Sequence, residues 1–466
     1  MNFLKNSPDL SINYLKSFLN RKASIYLMVN SIKIYFYPLP VIIFIYQVLI
    51  NRKGSIIKKL FFKNKKFIIL LQKDGFNQDT KYISNYFNNL ECITISRDLI
   101  KAIAKCFLPK EIDDNNYQSA SIIHNKRKER LFKFYDYLFS NLPKKFKPIG
   151  FLTGNYGYFA EQELFKAAYK NDIKGIAIHK ECLKTQGRIE LFNYIYSVRR
   201  SIFEGTLILV YNNKEKKLQK ESQVFNPDKT KIKVIGAPRI DQAHRLRKTH
   251  NILSKHKIIL FGFGLRTGLP SITRKSHGGS EPHNEFLKRS HEFLNWEKLL
   301  KGICIAYYDC AKKYPEVEFI VKLKGSYRDN YYMLDFFQKQ SKLKNLKINL
   351  KGNAINLIND ASIIIGFNST SIFEGIARGS KVIIPKFGEC NLKEYKPYYI
   401  DLIDSDIFVA KSESSLKSII KKCLSKKPFI SQKLTPNQKI LLNEWVGNSD
   451  GKSTLRLIEN LRSELL

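Results

Sequence analysis

The residues from Ala361 to Pro385 read ASIIIGFNSTSIFEGIARGSKVIIP. An apolar strand ends at Gly366, and Asn368, Ser369, Thr370 and Ser371 then open a helix. A helix N-terminus offers backbone N–H groups and the positive end of a dipole, which suit a phosphate or diphosphate. The hydroxyls of Ser369 and Thr370 could add donors. Glu374, one turn in, could accept hydrogen bonds from ribose hydroxyls. The same letters also spell a capping box, Ser371-Ile372-Phe373-Glu374, in which serine and glutamate only satisfy the helix's own amides. Spacing alone leaves both readings open.

A second set of groups could move protons. His179 closes the apolar run Gly175 to Ile178, and an imidazole titrates near pH 6.5, so it could deprotonate an acceptor hydroxyl. Glu181 and Glu161 are alternative bases. After another apolar run comes Phe261-Gly262-Phe263-Gly264, where glycines would let the backbone approach a donor phosphate. A long polar loop then runs to Asn295 with His277, His283, His291, Glu281 and Glu285. No two of these histidines stand at the i, i+4 spacing of a helical zinc site, so no metal ligands are assigned. A loop of this length is expected to act as a lid over donor or acceptor.

These groups need a scaffold. Short apolar runs alternate with helical stretches from Lys66 onward. Strands are expected at Phe67–Leu71, Cys92–Ile95, Pro148–Leu152, Gly175–Ile178, Thr206–Tyr211 and Val234–Ile235. A polar, basic stretch from Ile240 to Lys257 reads as a linker. A second alternating half follows, with strands at Ile258–Phe261, Val317–Val321, Leu346–Leu350, Ala361–Ile365 and Lys381–Ile384. Such alternation indicates βαβ units around parallel sheets. The expected fold is α/β, with two Rossmann-like αβα domains facing across a cleft. The boundaries are a basic N-terminal arm at 1–65, domains at 66–240 and 241–435, and C-terminal helices at 436–466 packing back across both. Ligands of open α/β sheets sit at the carboxyl edge of the strands.

The chain has 466 residues, with 80 Lys plus Arg against 41 Asp plus Glu, a net charge of +39. With 44% hydrophobic and 13% aromatic residues it can bury a large core, which excludes a mainly disordered basic tail. Mean hydropathy is −0.29, which excludes a multi-span membrane protein. Seven cysteines form no C-x-x-C pair, so reduced thiols in a cytoplasmic protein fit better than a disulfide framework. No cleavable signal peptide is read at the N-terminus. Twelve Lys and Arg, and no acid, lie between Asp9 and Asp74, around an apolar run from Ile34 to Ile50 that holds Pro38 and Pro40. That arm reads either as a segment lying on an anionic membrane surface or as a subdomain with a buried helix and a solvated basic face. Charge alone also admits a nucleic-acid binder, but no concentrated aromatic-basic platform accompanies it, so no nucleic-acid partner is expected.

Glu374 to Ile383, EGIARGSKVI, resembles the donor-site stretch of GT-B glycosyltransferases. The wider chain, from about Lys66, resembles bacterial surface and capsular polysaccharide transferases related to the CDP-glycerol glycerophosphotransferases. Val234 to Asp241 (VIGAPRID) is similar to the G-x-P-R-x-D stretch joining the two halves. Ala177-Ile178-His179-Lys180-Glu181 with Lys184 is similar to a strand-end histidine motif. Trp445 to Gly451 (WVGNSDG) is similar to the stretch before the last helix.

The resemblance implies a glycosyltransferase that builds a surface polysaccharide, capsule or lipopolysaccharide, from a nucleotide-activated sugar. It implies an inverting, metal-independent reaction, with the nucleotide-sugar a co-substrate and no resident cofactor. Glu374 would hold the ribose, Asn368 to Thr370 the diphosphate, and His179 or Glu181 would be the base. The acceptor would be a lipid-linked or surface glycan, and the enzyme would sit peripherally at the inner face of the membrane. Two departures matter. Gly366 stands where retaining relatives often carry a second glutamate. Val321-Lys322-Leu323-Lys324-Gly325 stands where glycerophosphotransferases have K-x-H-P. Lysine is a point charge for a phosphate but a poor acid–base group near neutrality. Lys322 and Lys324 would therefore steady a leaving diphosphate in a sugar transferase. Polyol-phosphate transfer and sugar-nucleotide epimerisation remain same-fold alternatives, and a non-catalytic membrane-docked protein is another.

Overall fold

A computed structural model describes residues 22–52 and 66–466, apart from 73–76, 81–82, 88–89, 115, 119–121, 155, 201, 250–252, 270–293, 324–326, 341–342, 351, 353 and 403–405. Among the described residues, twelve strands form two six-stranded sheets, parallel throughout. The first contains β1 (Lys66–Gln72), β2 (Leu90–Ser96), β3 (Gly150–Thr153), β4 (Lys174–His179), β5 (Leu207–Val210) and β6 (Lys231–Val234), in the order β2-β1-β3-β4-β5-β6. The second contains β7 (Lys257–Phe261), β8 (Glu318–Lys322), β9 (Leu346–Asn349), β10 (Ile363–Ile365), β11 (Lys381–Pro385) and β12 (Phe408–Ala410), in the order β12-β11-β10-β7-β8-β9.

In chain order the longer helices are α1 (residues 22–33), α2 (Pro38–Asn51), α3 (Arg97–Phe107), α4 (Ile122–Ser140), α5 (Phe159–Lys170), α6 (Gln186–Arg199), α7 (Asn213–Glu221) and α8 (Asp241–Thr249). The second half adds α9 (Glu297–Lys313), α10 (Tyr327–Lys339), α11 (Ala354–Asn359), α12 (Thr370–Arg378), α13 (Glu413–Leu424), α14 (Pro436–Val446) and α15 (Ser453–Leu465).

The continuous apolar runs are those of strands buried on both faces. Successive side chains point to opposite faces, so each strand feeds two cores. Phe67, Ile69 and Leu71 of β1 join an outer core, while Ile68 and Leu70 join a central one. Likewise Ile259 and Phe261 of β7 enter the central core, and Ile258 and Leu260 a third. The central core is common to both halves and includes residues of α12, α14 and α15. Leu461 and Leu465 of α15 lie in it with Ile68 and Leu152 of the first sheet, and the Arg462 guanidinium donates to the Tyr86 carbonyl (2.9 Å). The expected architecture of two Rossmann-like αβα halves across a cleft is therefore present.

The stretch from Ile240 to Lys257 is not the expected linker. Asp241–Thr249 is a helix, and its Asp241, Ala243, His244 and Arg247 are buried. Its polar sequence misleads because those polar groups have partners. Near the N-terminus, α1 and α2 form a hairpin whose Met28, Ile32, Ile43, Phe44 and Val48 enter the outer core of the first half. Among the described residues, no helix is long and apolar enough to cross a membrane.

Candidate functional site

A cleft of about 890 Å³ lies between the two halves at the carboxyl edges of both sheets. In the second sheet the strand order reverses between β7 and β10. The loops leaving those two strands line the cleft through Gly264, Arg266 and Thr267, and through Asn368 and Thr370. This is the switch-point crevice where open α/β sheets take ligands. The first half contributes Lys180, Glu181 and Arg188 from the loop after β4 and the start of α6. Phe263, Tyr331 and Tyr398 add ring surface.

The N-terminus of α12 is built from both sequence readings. Ser369 is the N-cap, and its hydroxyl accepts the Ser371 N–H at 3.3 Å. Ser371 is buried inside the helix, so a box headed by Ser371 is not what closes it. Asn368 adopts a left-handed conformation (φ 47°), which asparagine tolerates. Its side chain donates to the Tyr398 carbonyl (2.8 Å) and accepts from Ile400 N–H (2.9 Å). Thr370 is left on the cleft wall. Glu374 is not. It is buried one turn deeper, facing the seam where Arg239 and Asp79 meet. Burial pushes its carboxyl up to about 7, against the opposing pull of Arg239.

The two glycines after β7 also separate. Gly264 lines the cleft, in a turn closed by Thr267 Oγ1, which accepts the Gly264 N–H (2.9 Å). Gly262 is buried, and a Cβ there would meet Leu323 Cδ2 at 2.3 Å, so it serves close packing. Lys322 ends β8 with its ammonium on the Leu323 carbonyl (3.1 Å), away from the cleft lining. Lys324 and the loop from 270 to 293, with its three histidines, lie outside the described residues. Among the described residues, no group of three or more His, Cys, Asp or Glu side chains is arranged to hold a metal ion.

His179 does not reach the cleft. It is sealed beneath the 180–185 loop, with Nε2 3.0 Å from Glu215 Oε1 and the Tyr156 ring 5.3 Å away. Glu215 Oε2 also meets Lys184 Nζ at 2.9 Å, and Gln219 donates to Oε1 (2.9 Å). Burial alone would raise the Glu215 carboxyl, but Lys184 and His179 outweigh it and hold it far below the usual carboxylate range. Lys184 also donates to the Glu181 carbonyl (2.8 Å), which ties the buried cluster to the loop above it. That loop presents the Glu181 carboxylate to the cleft. Its surroundings tend to raise its pKa by desolvation, yet Lys184, His179, Arg188 and Lys180 together lower it, so it is ionised. Glu161 is fully committed, to Arg97 (2.6 Å) and to the Thr153 hydroxyl (2.7 Å).

Two of the sequence motifs turn out to grip each other. Gly236 is left-handed (φ 76°), and a Cβ there would fall 2.3 Å from the Gly447 carbonyl oxygen and 2.2 Å from Ser453 Oγ. Asp241 accepts N–H groups from Ser453 (3.1 Å) and Thr454 (2.6 Å) at the start of α15, and the Asn448 amide (2.7 Å). VIGAPRID and WVGNSDG are therefore one joint, where the chain crosses back to the first half. Arg239 extends it: it pairs through two nitrogens with buried Asp79 of the first half and also lines the cleft. Sequence reasoning did not single out Arg188, Arg266 or Tyr398. Arg266 was detectable, because it follows β7 directly at the carboxyl edge. Tyr398 was not, since its place depends on Asn368.

No family model and no curated protein matches this sequence. Solved structures of similar shape include UDP-GlcNAc 2-epimerase from Neisseria meningitidis bound to UDP-GlcNAc (12% identity, TM-score 0.46, 85% of this chain and 100% of that one). Another is the UDP-GlcNAc 2-epimerase of Methanocaldococcus jannaschii (13%, TM-score 0.43, 85% and 99%). A variant of the wall teichoic acid polymerase TagF is a third (10%, TM-score 0.48, 96% and 98%). These likenesses are distant, and the fold described above stands on this chain's own sheets.

Proposed function

We propose that the protein is a glycosyltransferase that moves a sugar from a nucleoside diphosphate to a hydroxyl of a lipid-linked or surface glycan, by direct displacement and without a metal. One observation carries this reading: the N-terminus of α12 and the cationic groups Lys180, Arg188 and Arg266 converge on one cleft with the exposed, ionised carboxylate of Glu181. An acceptor oxygen attacks the anomeric carbon, the bond from that carbon to the diphosphate oxygen breaks, and the acceptor proton passes to Glu181. The departing diphosphate takes the bonding electrons, and the α12 amides with Arg266 meet its charge. Glu181 is a weak base while Lys184 and His179, and after them Arg188 and Lys180, hold its pKa down. A bound diphosphate would offset the charges of Arg188 and Lys180, which line the cleft, and raise its proton affinity when the substrate is in place.

Glu181 replaces His179 as the favoured base because it is on the cleft surface. Glu374 acts on this reading through Arg239 at the seam and does not touch the ribose. Nucleotide-dependent thermal protection across a panel of nucleoside diphosphates tests donor binding, since a ligand of the native state raises its stability. Glu181→Gln, assayed with radiolabelled nucleotide sugars, should keep that protection and lose roughly 10²- to 10⁴-fold in kcat. No protection by any nucleotide would overturn the donor reading. Full turnover in Glu181→Gln would overturn the assignment of the base.

A further inference from the structure

The hairpin of α1 and α2 has two unlike faces. Its inner face fills the outer core of the first half, and buried Gln47 donates to Ser24 (2.6 Å) across it. Its outer face carries large apolar side chains in solvent. The turn joining the helices exposes Ile34 (71%), Tyr35 (75%) and Phe36 (53%). Tyr26 and Leu27 of α1 are exposed too, as are Ile42 and Tyr46, one turn apart on α2. The Tyr35 ring lies 6.3 Å from Tyr37, which packs on Phe134 and Tyr137 of α4, so the patch is anchored on the body of the protein. Seven large apolar side chains exposed on one short hairpin exceed ordinary surface scatter and mark an interaction surface.

We propose that this face docks on an anionic lipid bilayer, with Ile34, Tyr35 and Phe36 entering the headgroup–acyl boundary. The charge around it selects that occupant. Residues 22–52 contain no acid, and Lys22 and Lys33 on α1 are exposed. Exposed Arg130 of α4 lies close enough to act on Tyr37, and Lys33 close enough to act on Cys106 of α3, beside exposed Lys105. The acids of α4, Glu129 and Asp136, are paired with Lys133 and Lys170. A second copy of the chain would set this basic rim against itself. Anionic headgroups complement it, and tyrosine rings suit the water–lipid boundary. Two helices whose inner faces are held in the core lie on the surface rather than span it. The inference holds whatever the cleft transfers.

Flotation of the full chain with vesicles tests it. The protein should float with phosphatidylcholine–phosphatidylglycerol vesicles and much less with phosphatidylcholine alone. Ile34→Ser combined with Tyr35→Asn and Phe36→Ser should weaken partitioning at least about tenfold. Lys22→Gln or Lys33→Gln should each weaken it by about fivefold. The lysine variants keep the test decisive even if the triple variant folds poorly. Wild-type protein that stays in the aqueous phase, or variants that float as well as wild type, would overturn the proposal. So would a stable dimer that the triple variant abolishes, because it would give the patch to a second copy.

Discussion

Replacing Glu215 by Gln tests whether the histidine motif after β4 is a support rather than a catalytic group. Glu215 has no exposed side-chain surface, and Lys184 only 1%. The substitution leaves the Lys184 ammonium buried beside a neutral amide. Breaking a buried pair by removing one partner costs about 3–5 kcal/mol, since the remaining charge loses its compensation. Lys184→Met should cost a similar amount, because Glu215 Oε2 then loses its ammonium and the carboxylate keeps only His179 and the neutral Gln219 amide and Tyr196 hydroxyl, all at Oε1. Combining the two removes both charges, so the double variant should lose at least about 2 kcal/mol less than the sum of the singles. Urea unfolding followed by Trp445 fluorescence, in a Trp296→Phe background so that the chain's other tryptophan is silent, is a suitable assay. The Trp445 carbonyl accepts the Asn212 amide at 2.6 Å, and Asn212 also caps α7, which carries Glu215.

The pH dependence gives a second readout of the same pair. The Glu215 carboxyl is depressed in the folded state, so its stabilisation is present above the unfolded glutamate value of about 4.3 and is lost as pH falls toward its folded value. Wild type should therefore lose stability in acid below that point, and Glu215→Gln should lack that component. Additive single and double variants, or losses under about 1 kcal/mol in each, would refute the buried-pair reasoning.

Three further outcomes follow from neighbouring features. The Glu374 carboxyl is raised to about 7 by burial, so its contribution is fully present below the unfolded value and fades as pH rises through about 7; Glu374→Gln should flatten wild-type melting temperature across that interval. Gly236→Ala forces a Cβ against Gly447 and a left-handed backbone on a non-glycine residue, and should lower stability by about 1–3 kcal/mol in urea titration. Asp241→Ala removes the acceptor for the first amides of α15 and should cost about 1–2 kcal/mol, with amide exchange rising first at Ser453 and Thr454.

Most of the scaffold was legible because strands buried on both faces write themselves as apolar runs. Eleven of the twelve strands lie at or beside their expected places; β12, three residues long, carried too little pattern to be noticed. The helix Asp241–Thr249 was hidden for the opposite reason. Its buried face holds Asp241 and His244, whose partners come from Asn448 and the start of α15, some 200 residues away, and Arg247, which reaches back to the His244 ring. No local pattern announces such pairing. At the site, the strand-to-helix turn at Asn368 to Thr370 was readable because glycine, a cap and an amphipathic helix occur in sequence. The depth of Glu374 and His179 was not, because burial depends on what packs above them.

Two of the sequence motifs share one physical character. Each carries ionisable groups consumed by partners inside the fold: His179 of the first by Glu215, and Arg239 and Asp241 of VIGAPRID by Asp79 and the amides of α15. Such pairs fix geometry, since leaving either member unpaired is costly. The Glu215 cluster lies beneath the cleft loop that bears Lys180 and Glu181, held to it by the Lys184 ammonium on the Glu181 carbonyl. A motif can therefore mark a catalytic region without containing the reacting group at its most conspicuous letter. Here the conspicuous histidine is buried against Glu215, and on the proposed reading the base falls two residues later, at Glu181, where the chain leaves the sheet and turns into the cleft. By the same logic, Arg239 couples the halves: it binds Asp79 on one side, feels Glu374 on the other, and offers its remaining surface to the cleft. A diphosphate drawn toward Arg239 would compete with Asp79 for it, so ligand binding and the set of the two halves should be linked through this one side chain.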